Sequence, residues 1–410
     1  MPAALRLPLA VAVSTVLLLL GAVTGPTAAS AAPAVLSQQS CPGVAAPARP
    51  VDESEAPRPG QAAPDPLPVP AHPVGGDAMG TCGTVVPSGA PAPPAVGVQS
   101  YVLADLDSGA VLAARVPHAR LRPASLLKTL TGLLVAQDVP MDQTVVGTQE
   151  DANQEGTRVG IGPGGVYTIR QLLDGMLMAS GNDIAYALSL RLTGSVPATV
   201  DLMNRTAAQI GALDTRAATP SGLDGPGQSS SAYDLASIFR LGMAHEPFAT
   251  AVGTKQITLP GWGPNPPFAV DNDNKILGRY PGALGGKTGF TDDARHTYIG
   301  AAQRNGRRLV VVLMHGEQTP VPMYEQGIAL LDYGFSLPPG AAVGQLAQPP
   351  AGTTLGSTPA APSPAGATSS DDGAASPTSG TTNWETPVAI GAVVVLGLVV
   401  LAARMRRRRR

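Results

Sequence analysis

Hydrophobic and polar positions alternate early in the central part of the chain. Residues 101–106 follow this two-residue period, and Asp107-Ser108-Gly109 then supplies turn residues before the apolar run 110–114. A two-residue period interrupted by such a turn is typical of two antiparallel strands. The pattern therefore predicts a β-hairpin at this point.

The period changes after Pro123. Proline is favoured in the first turn of a helix, so we expect a helix that begins here and contains Ser125. Helical spacing continues to about residue 253, and residues 168–179 place their apolar side chains three and four apart.

Strand patterns return late in the chain, in residues 285–291, 296–303 and 309–315, and a helix is predicted at 323–333. The Arg304-Asn305-Gly306-Arg307 sequence predicts a hairpin between the last two strands. Two strands, then helices, then three strands predict an α/β (α+β) fold. We expect an antiparallel sheet of about five strands, flanked by helices, with an inserted helical subdomain.

Composition sets the predicted domain boundaries. Residues 32–97 are rich in proline and alanine, and residues 338–383 in small and polar residues, so both offer little apolar surface to offset chain entropy. We expect an extended or disordered segment at 32–97, one globular domain at 98–337, and a disordered stalk at 338–383.

The two ends of the chain carry targeting patterns. Residues 1–31 contain Arg6, an apolar run and a closing group of small residues, which predicts a secretory signal peptide. Residues 384–403 predict a transmembrane anchor, and the arginine-rich 404–410 a cytoplasmic tail. An uncleaved amino-terminal anchor and a carboxyl-terminal sorting signal are the alternatives. The globular domain is expected outside the cell.

Charge and cysteine content narrow the function further. The net charge is −2, so no nucleic-acid partner is expected. In an exported chain, the only two cysteines, Cys41 and Cys82, suggest one disulfide. The five histidines are scattered and form no Cys/His cluster, so neither a metal nor a cofactor is predicted.

One serine and one of only four lysines stand three residues apart at the predicted helix start. Ser125 and Lys128 would lie on one face of that helix. A lysine amine with a lowered pKa can activate a serine hydroxyl. Alone, Ser-x-x-Lys is common by chance and is also compatible with two solvated side chains.

Two further motifs follow in order. Ser180-Gly181-Asn182 interrupts a helical segment and predicts a short loop that presents a hydroxyl and an amide. Lys287-Thr288-Gly289 lies on a predicted strand whose glycines allow close backbone approach. Each motif alone could be an ordinary turn or a glycine-rich edge strand.

Together the three motifs resemble those of the penicillin-binding, low-molecular-mass D-alanyl-D-alanine carboxypeptidase family, which shares the serine β-lactamase/DD-peptidase fold. The resemblance covers residues 98–333. It implies a serine-type hydrolase that trims the terminal D-alanine from peptidoglycan stem pentapeptides and is trapped by β-lactams. It also implies an enzyme of the cell wall.

The resemblance also implies residue roles. Ser125 would be the nucleophile and Lys128 its base, while Ser180 and Asn182 would relay protons and hold the substrate amide. Lys287 would add positive potential and Thr288 would contact the substrate carboxylate. Within Lys287-Thr288-Gly289-Phe290, the substrate-binding strand, the backbone N–H of Phe290 would form the oxyanion hole together with that of Ser125.

Two features depart from the family. Several relatives follow the catalytic domain with a β-rich domain and an amphipathic anchor, whereas this chain has the predicted stalk and membrane span, which we expect to hold the enzyme at the membrane. Many relatives carry an arginine after the last strand, whereas residues 314–318 contain none. His315 and Arg295 are the candidate substitutes for binding the substrate carboxylate.

Three alternatives share the fold. A serine β-lactamase of class A needs a glutamate for deacylation, and between Asp183 and Lys287 only Glu246 is present. A DD-transpeptidase or DD-endopeptidase is the second alternative, and an inactive wall-binding protein the third.

The glycines of residues 160–165 match a dinucleotide-binding fingerprint, but they lack its strand–helix context and predict a turn.

Overall fold

A central antiparallel sheet organises the molecule. The computed structural model describes residues 41–353 and 355–356. Across the sheet the strands are β1 (Thr84–Val85), β3 (Ala110–Arg115), β2 (Val98–Asp105), β10 (Arg307–Gly316), β9 (Arg295–Arg304) and β8 (Ala283–Thr291), and β11 (Gly344–Gln345) also pairs with β3. The five longer strands are those expected from the sequence, so the predicted sheet is confirmed.

Alternating side chains divide the core between the two faces of this sheet. On β2, Tyr101 and Leu103 pack in one apolar cluster, whereas Val102 and Ala104 pack in another. The first cluster includes residues of α8 (Met323–Ser336), and the second includes the helices between β3 and β8. Because both faces are covered, the central strands are buried along most of their length.

The inserted subdomain is mainly helical, as predicted. Its helices are α1 (Lys128–Asp138), α2 (Gln149–Ala152), α3 (Ile169–Ala179), α4 (Asn182–Thr193), α5 (Val196–Ile210), α6 (Ala232–Gly242) and α7 (Glu246–Gly253). Thr168 and Gln171 form a reciprocal capping box that starts α3, and the apolar face of α3 is buried. A 3₁₀ helix, Ala124–Leu127, precedes α1, and another spans Asp77–Gly80.

Two short antiparallel strand pairs were not predicted from the sequence. β4 (Thr144–Val146) pairs with β5 (Val166–Thr168), and β6 (Gln256–Leu259) pairs with β7 (Phe268–Asp271). These strands are only three or four residues long, too short to establish a period. The glycines of residues 160–165 lie before β5, where the Gly165 N–H donates to the carbonyl of Gly162 at 3.0 Å, in accordance with the predicted turn.

The segment before β2 packs against the domain. We call residues 41–97 the strap; it consists largely of irregular, extended chain. Its Cys41 and Cys82 form a disulfide, and its Met79 is buried in the core. Arg120 donates to the carbonyl oxygens of Ala45 at 3.0 Å and Pro68 at 2.7 Å. The packed unit therefore begins well before the expected boundary at residue 98.

The packed unit also extends beyond residue 337. Leu346, which follows β11, is 1% exposed and belongs to the core between the sheet and the inserted helices. Leu355 packs beside α1 and α5. The expected stalk therefore contributes its first residues to the domain. The predicted signal peptide at 1–31 and the predicted anchor and tail at 384–410 lie outside the described residues. Among those described, no helix has the length and apolar character needed to cross a membrane.

Candidate active site

Ser125 lies in the 3₁₀ turn that leads into α1. Lys128 is the first residue of α1, and its Nζ lies 3.0 Å from Ser125 Oγ. Ser125 therefore stands within hydrogen-bond reach of a candidate base, as the Ser-x-x-Lys spacing predicts.

Three acceptors surround the Lys128 amine. Besides Ser125 Oγ, Nζ contacts Asn182 Oδ1 at 2.6 Å and the carbonyl oxygen of Ser221 at 2.7 Å. A neutral amine has two N–H groups and one lone pair. If the N–H groups donate to Asn182 and Ser221, the lone pair is left to accept the Ser125 hydroxyl proton.

Burial favours this neutral form. The Lys128 side chain is fully buried, and its pKa lies well below the usual lysine range, chiefly because of desolvation and secondly because of the positive charge of Lys287. The Asp183 carboxylate opposes this shift. A lysine with a lowered pKa is a competent general base near neutral pH.

The Ser180-Gly181-Asn182 sequence forms the connection between α3 and α4. Ser180 ends α3 in a left-handed conformation (φ 64°) and lines the cleft beside Ser125. Asn182 instead uses its amide inside the protein, because its Nδ2 donates to the carbonyl of Glu155 at 2.7 Å while its Oδ1 faces Lys128. In this structure Asn182 orients the base rather than presenting its amide to the cleft.

The β8 strand forms the opposite wall. Thr288, Gly289 and Phe290 line the cleft, whereas Lys287 is buried behind them and donates to the carbonyl of Thr288 at 2.8 Å. Burial lowers the pKa of Lys287 to about 8.

Gly289 brings β8 close to the nucleophile. A Cβ atom at this position would lie 2.5 Å from Thr297 Oγ1, 2.9 Å from the Ser125 backbone nitrogen and 3.1 Å from Ala124 Cβ. Only glycine leaves the Ser125 N–H uncovered, which is consistent with a role for that group in binding an oxyanion.

The cleft has a volume of about 500 Å³ and includes residues that the sequence analysis missed. Asp273 and Lys275, both exposed, follow β7, and His296 follows the first residue of β9. None of these belongs to a recognisable motif, and tertiary folding alone brings them to Ser125.

Neither candidate for the missing arginine lines this cleft. Arg295 forms an ion pair with Glu317, with distances of 3.0 and 3.1 Å, and His315 lines a separate cavity of about 510 Å³. The expectation that one of them faces the substrate carboxylate is not met. Thr288 offers a hydroxyl and Lys275 a positive charge inside the cleft instead, whereas burial lowers the pKa of His296 and favours its neutral form.

The fold and the Ser125–Lys128 pair together place the protein in the class of serine hydrolases. The chain belongs to the D-alanyl-D-alanine carboxypeptidase family of serine peptidases (peptidase S11), whose model matches residues 88–318. Its members are hydrolases, and the fold is that of the penicillin-binding DD-peptidases.

Two curated relatives and two solved structures illustrate the likeness. The D-alanyl-D-alanine carboxypeptidase DacB2 of Mycobacterium tuberculosis is 44% identical over 266 residues, which cover 64% of this chain and 90% of that protein. DacF of Bacillus subtilis, also named a D-alanyl-D-alanine carboxypeptidase, is 31% identical over 58% of this chain and 62% of its own length. The crystal structure of a D-alanyl-D-alanine carboxypeptidase from Mycobacterium tuberculosis has a TM-score of 0.61 and 43% identity, covering 64% of this chain and all of that one. A Streptomyces DD-transpeptidase, at 24% identity and a TM-score of 0.57 over 60% of this chain and all of its own, shares the fold.

Proposed function

We propose that this enzyme removes the terminal D-alanine from peptidoglycan stem peptides through an acyl-enzyme on Ser125. The observation that carries the proposal is the buried Lys128 amine, 3.0 Å from the Ser125 hydroxyl and with two further acceptors for its N–H groups. This arrangement supplies a base for the serine without a histidine.

Acylation begins when Ser125 Oγ attacks the carbonyl carbon between the two D-alanines. Lys128 accepts the hydroxyl proton as the new C–O bond forms. The tetrahedral intermediate then collapses, the C–N bond breaks, and the departing D-alanine amine receives a proton. Ser180 lines the cleft beside Ser125, and we assign it the relay of that proton from Lys128.

The developing negative charge needs hydrogen-bond donors. We assign this role to two backbone N–H groups that line the cleft, that of Ser125 and that of Phe290 on β8. Such donors each contribute about 3–4 kcal/mol to transition-state stabilisation. The Thr288 hydroxyl is assigned to the terminal carboxylate, and Lys287 contributes positive potential from behind the strand.

Water completes the reaction by hydrolysing the ester on Ser125. A β-lactam presents a strained amide in place of the D-Ala-D-Ala bond, so we expect it to acylate the same oxygen. Membership of the D-alanyl-D-alanine carboxypeptidase family supports both the stem peptide as substrate and the β-lactam as inhibitor.

A DD-endopeptidase on cross-linked peptides remains an alternative on the same residues. A rapidly deacylating β-lactamase is disfavoured. Glu246 stands at the start of α7, where it pairs with Arg170 at 2.8 Å, and within the described residues no glutamate lines the cleft.

We further propose that the enzyme acts outside the cell and is tethered there. The apolar run with small closing residues at 1–31 supports export, and the Cys41–Cys82 disulfide suits an oxidising compartment. The apolar run at 384–403, followed by arginines, supports a membrane anchor.

Mass spectrometry after penicillin treatment tests the proposal. We expect one adduct of the penicillin mass on the peptide that contains Ser125, and none in Ser125→Ala. The same substitution should abolish release of D-alanine from a peptide ending in D-Ala-D-Ala. An adduct elsewhere, or D-alanine release by Ser125→Ala, would refute the assignment, and rapid loss of the adduct would identify a β-lactamase instead.

A further inference from the structure

The strap joins the two chain segments that carry the assigned oxyanion-hole donors. We infer that Glu55 and Val51 are positioning residues, which hold Ser125 and Phe290 at the spacing that acylation requires. This inference rests on the proposed function, because it takes the two backbone N–H groups as the oxyanion hole.

The first link reaches the nucleophile. Arg122 precedes Ser125 by three residues, and its side chain is 4% exposed. Its Nε and Nη2 both donate to the Glu55 carboxylate, the latter at 2.9 Å, and Nη2 also donates to the carbonyl of Ala48 at 2.9 Å. A paired, planar guanidinium in this fork geometry has little freedom to move.

Movement of Arg122 would be transmitted to Ser125. Only Pro123 and Ala124 lie between them; the proline ring fixes one dihedral angle, and Ala124 adopts a positive φ of 48°, which is rare for a residue with a side chain. The surrounding structure therefore has to hold this conformation, and the Arg122–Glu55 pair is part of that structure.

The second link reaches the end of β8. Asp293 follows Phe290 by three residues and is 7% exposed. Its Oδ1 accepts the backbone N–H of Val51 at 2.7 Å, whereas its Oδ2 has no hydrogen-bond partner among the described residues. Against the lowering effect of its burial, Glu55 and, to a smaller extent, Asp293 together raise the pKa of Arg122.

The two links lie close together on one piece of the strap. Val51 and Glu55 are four residues apart, and they contact residues on opposite sides of the oxyanion hole. A direct bond between the two sides also exists, since Thr297 Oγ1 donates to the carbonyl of Pro123 at 3.0 Å. The strap adds a second, outer connection, and both of its residues precede the family match at 88–318.

Pre-steady-state acylation by a chromogenic β-lactam tests this inference. In Glu55→Gln, Arg122 loses its charged partner, and small displacements of catalytic groups are costly. We therefore expect the acylation rate constant to fall on the order of tenfold, with the dissociation constant of the non-covalent complex changed less than twofold. The matched control is Glu53→Gln, an exposed acid on the same segment, which should match the wild type within twofold. Equal acylation rates in the two variants would overturn the inference.

The fraction of enzyme that becomes labelled separates folding from positioning. A folding defect lowers the labelled fraction, whereas a positioning defect lowers the rate per labelled site. Asp293→Ala should reproduce the slow rate, and the double variant with Glu55→Gln should be less impaired than the product of the two single effects. If the two rate effects multiply fully in the double variant, the two contacts act independently, and the inference that they position the site together would be wrong. Absence of labelling in the wild type would instead refute the proposed function.

Discussion

The reactivity of Ser125 depends on which groups are charged within its immediate surroundings. Lys128 is buried and faces Asn182 and Ser221, both of which accept its N–H groups. Neither accepting oxygen carries a full negative charge, so neither offsets the effect of burial, which lowers the pKa of Lys128. Lys287 adds to this lowering from behind β8.

Lys287→Gln should move the pH dependence of acylation. The charge of Lys287 lowers the pKa of Lys128, so its removal raises that pKa and reduces the fraction of neutral base at neutral pH. The rising limb of the plot of acylation rate against pH is expected to shift to higher pH. Lys255→Gln, an exposed lysine outside the cleft, is the control, and an unshifted limb in Lys287→Gln would contradict the assigned role.

Gly289→Ala should block the oxyanion hole. The new Cβ would lie 2.5 Å from Thr297 Oγ1 and 2.9 Å from the Ser125 nitrogen, so β8 must move away from Ser125 and the donor spacing is lost. Loss of one donor typically costs about 10²–10³ in rate. Stopped-flow acylation measures the change, and Gly83→Ala, where a Cβ meets open space, should acylate like the wild type.

The connection between α3 and α4 shows how whole elements hold the site. Asp183, the second residue of α4, accepts the backbone N–H groups of Val159 at 3.1 Å and Gly160 at 2.7 Å. The loop fixed in this way also receives Asn182 through the carbonyl of Glu155. The orientation of the Lys128 base therefore depends on a helix start and on a loop far from it in sequence.

α3 itself carries a buried carboxylate that costs stability. Burial raises the pKa of Asp174 to about 6, and its Oδ1 has no partner among the described residues. Because the folded state disfavours ionisation, stability declines as pH rises from about 4 to 6 and stays reduced above that. Asp174→Asn should therefore increase the free energy of unfolding by about 1–2 kcal/mol at pH 8, after allowance for partial screening, and by little at pH 4.

Urea denaturation at the two pH values measures this difference. Asp201→Asn, an exposed carboxylate on α5, serves as the comparison and should show no pH-dependent gain. A gain of the same size at pH 4 and pH 8 would mean that packing, not charge, is responsible.

The molecule as a whole is larger than its family core. The strap and the residues after α8 both pack against the domain, and β1 and β11 meet on the same edge of β3. His118 and Arg120 both pair with Asp214, at 2.7 and 3.0 Å, and Arg120 also donates to the strap carbonyls of Ala45 and Pro68. The chain outside the family match thus contributes to the same structural unit.

Removal of the disulfide should lower global stability. The bond closes a loop with a sequence separation of 41 residues, for which chain entropy predicts up to about 4 kcal/mol. The double variant Cys41→Ala, Cys82→Ala is expected to melt at a lower temperature than the oxidised wild type, as measured by calorimetry. Reductant should lower the melting temperature of the wild type but leave that of the variant unchanged, and a variant as stable as the oxidised protein would contradict the argument.

Sequence patterns predicted the parts of the fold that repeat a period. The five long strands, α3 and α8 have enough residues to reveal two- or 3.6-residue spacing, and the ordered motifs at Ser125, Ser180 and Lys287 identified the family. The strap was misjudged because composition reports average apolar content. Composition cannot reveal that Met79 of the strap is buried in the core, or that backbone carbonyls of the strap accept hydrogen bonds from Arg120 of the domain.

The site was predicted less completely than the fold. The motifs predicted Lys128 as a base. They could not predict that the Asn182 amide faces inward, because this orientation depends on a hydrogen bond to the backbone carbonyl of Glu155. Lys275 and His296 reach the cleft only through tertiary folding. The sequence could not show that Arg295, a candidate for the missing arginine, pairs with Glu317 and does not line the cleft.

The buried guanidinium groups of Arg120 and Arg122 determine how much of the gene a recombinant enzyme needs. A protein started at residue 88, where the family match begins, would keep both arginines but lose Glu55 and the carbonyls of Ala45 and Pro68. Arg122 would then lack its charged partner, Arg120 would keep Asp214 but lose its carbonyl acceptors in the strap, and Met79 would be missing from the core. Such a shortened enzyme should express poorly and aggregate, so crystallisation and inhibitor screening are best begun from residue 41.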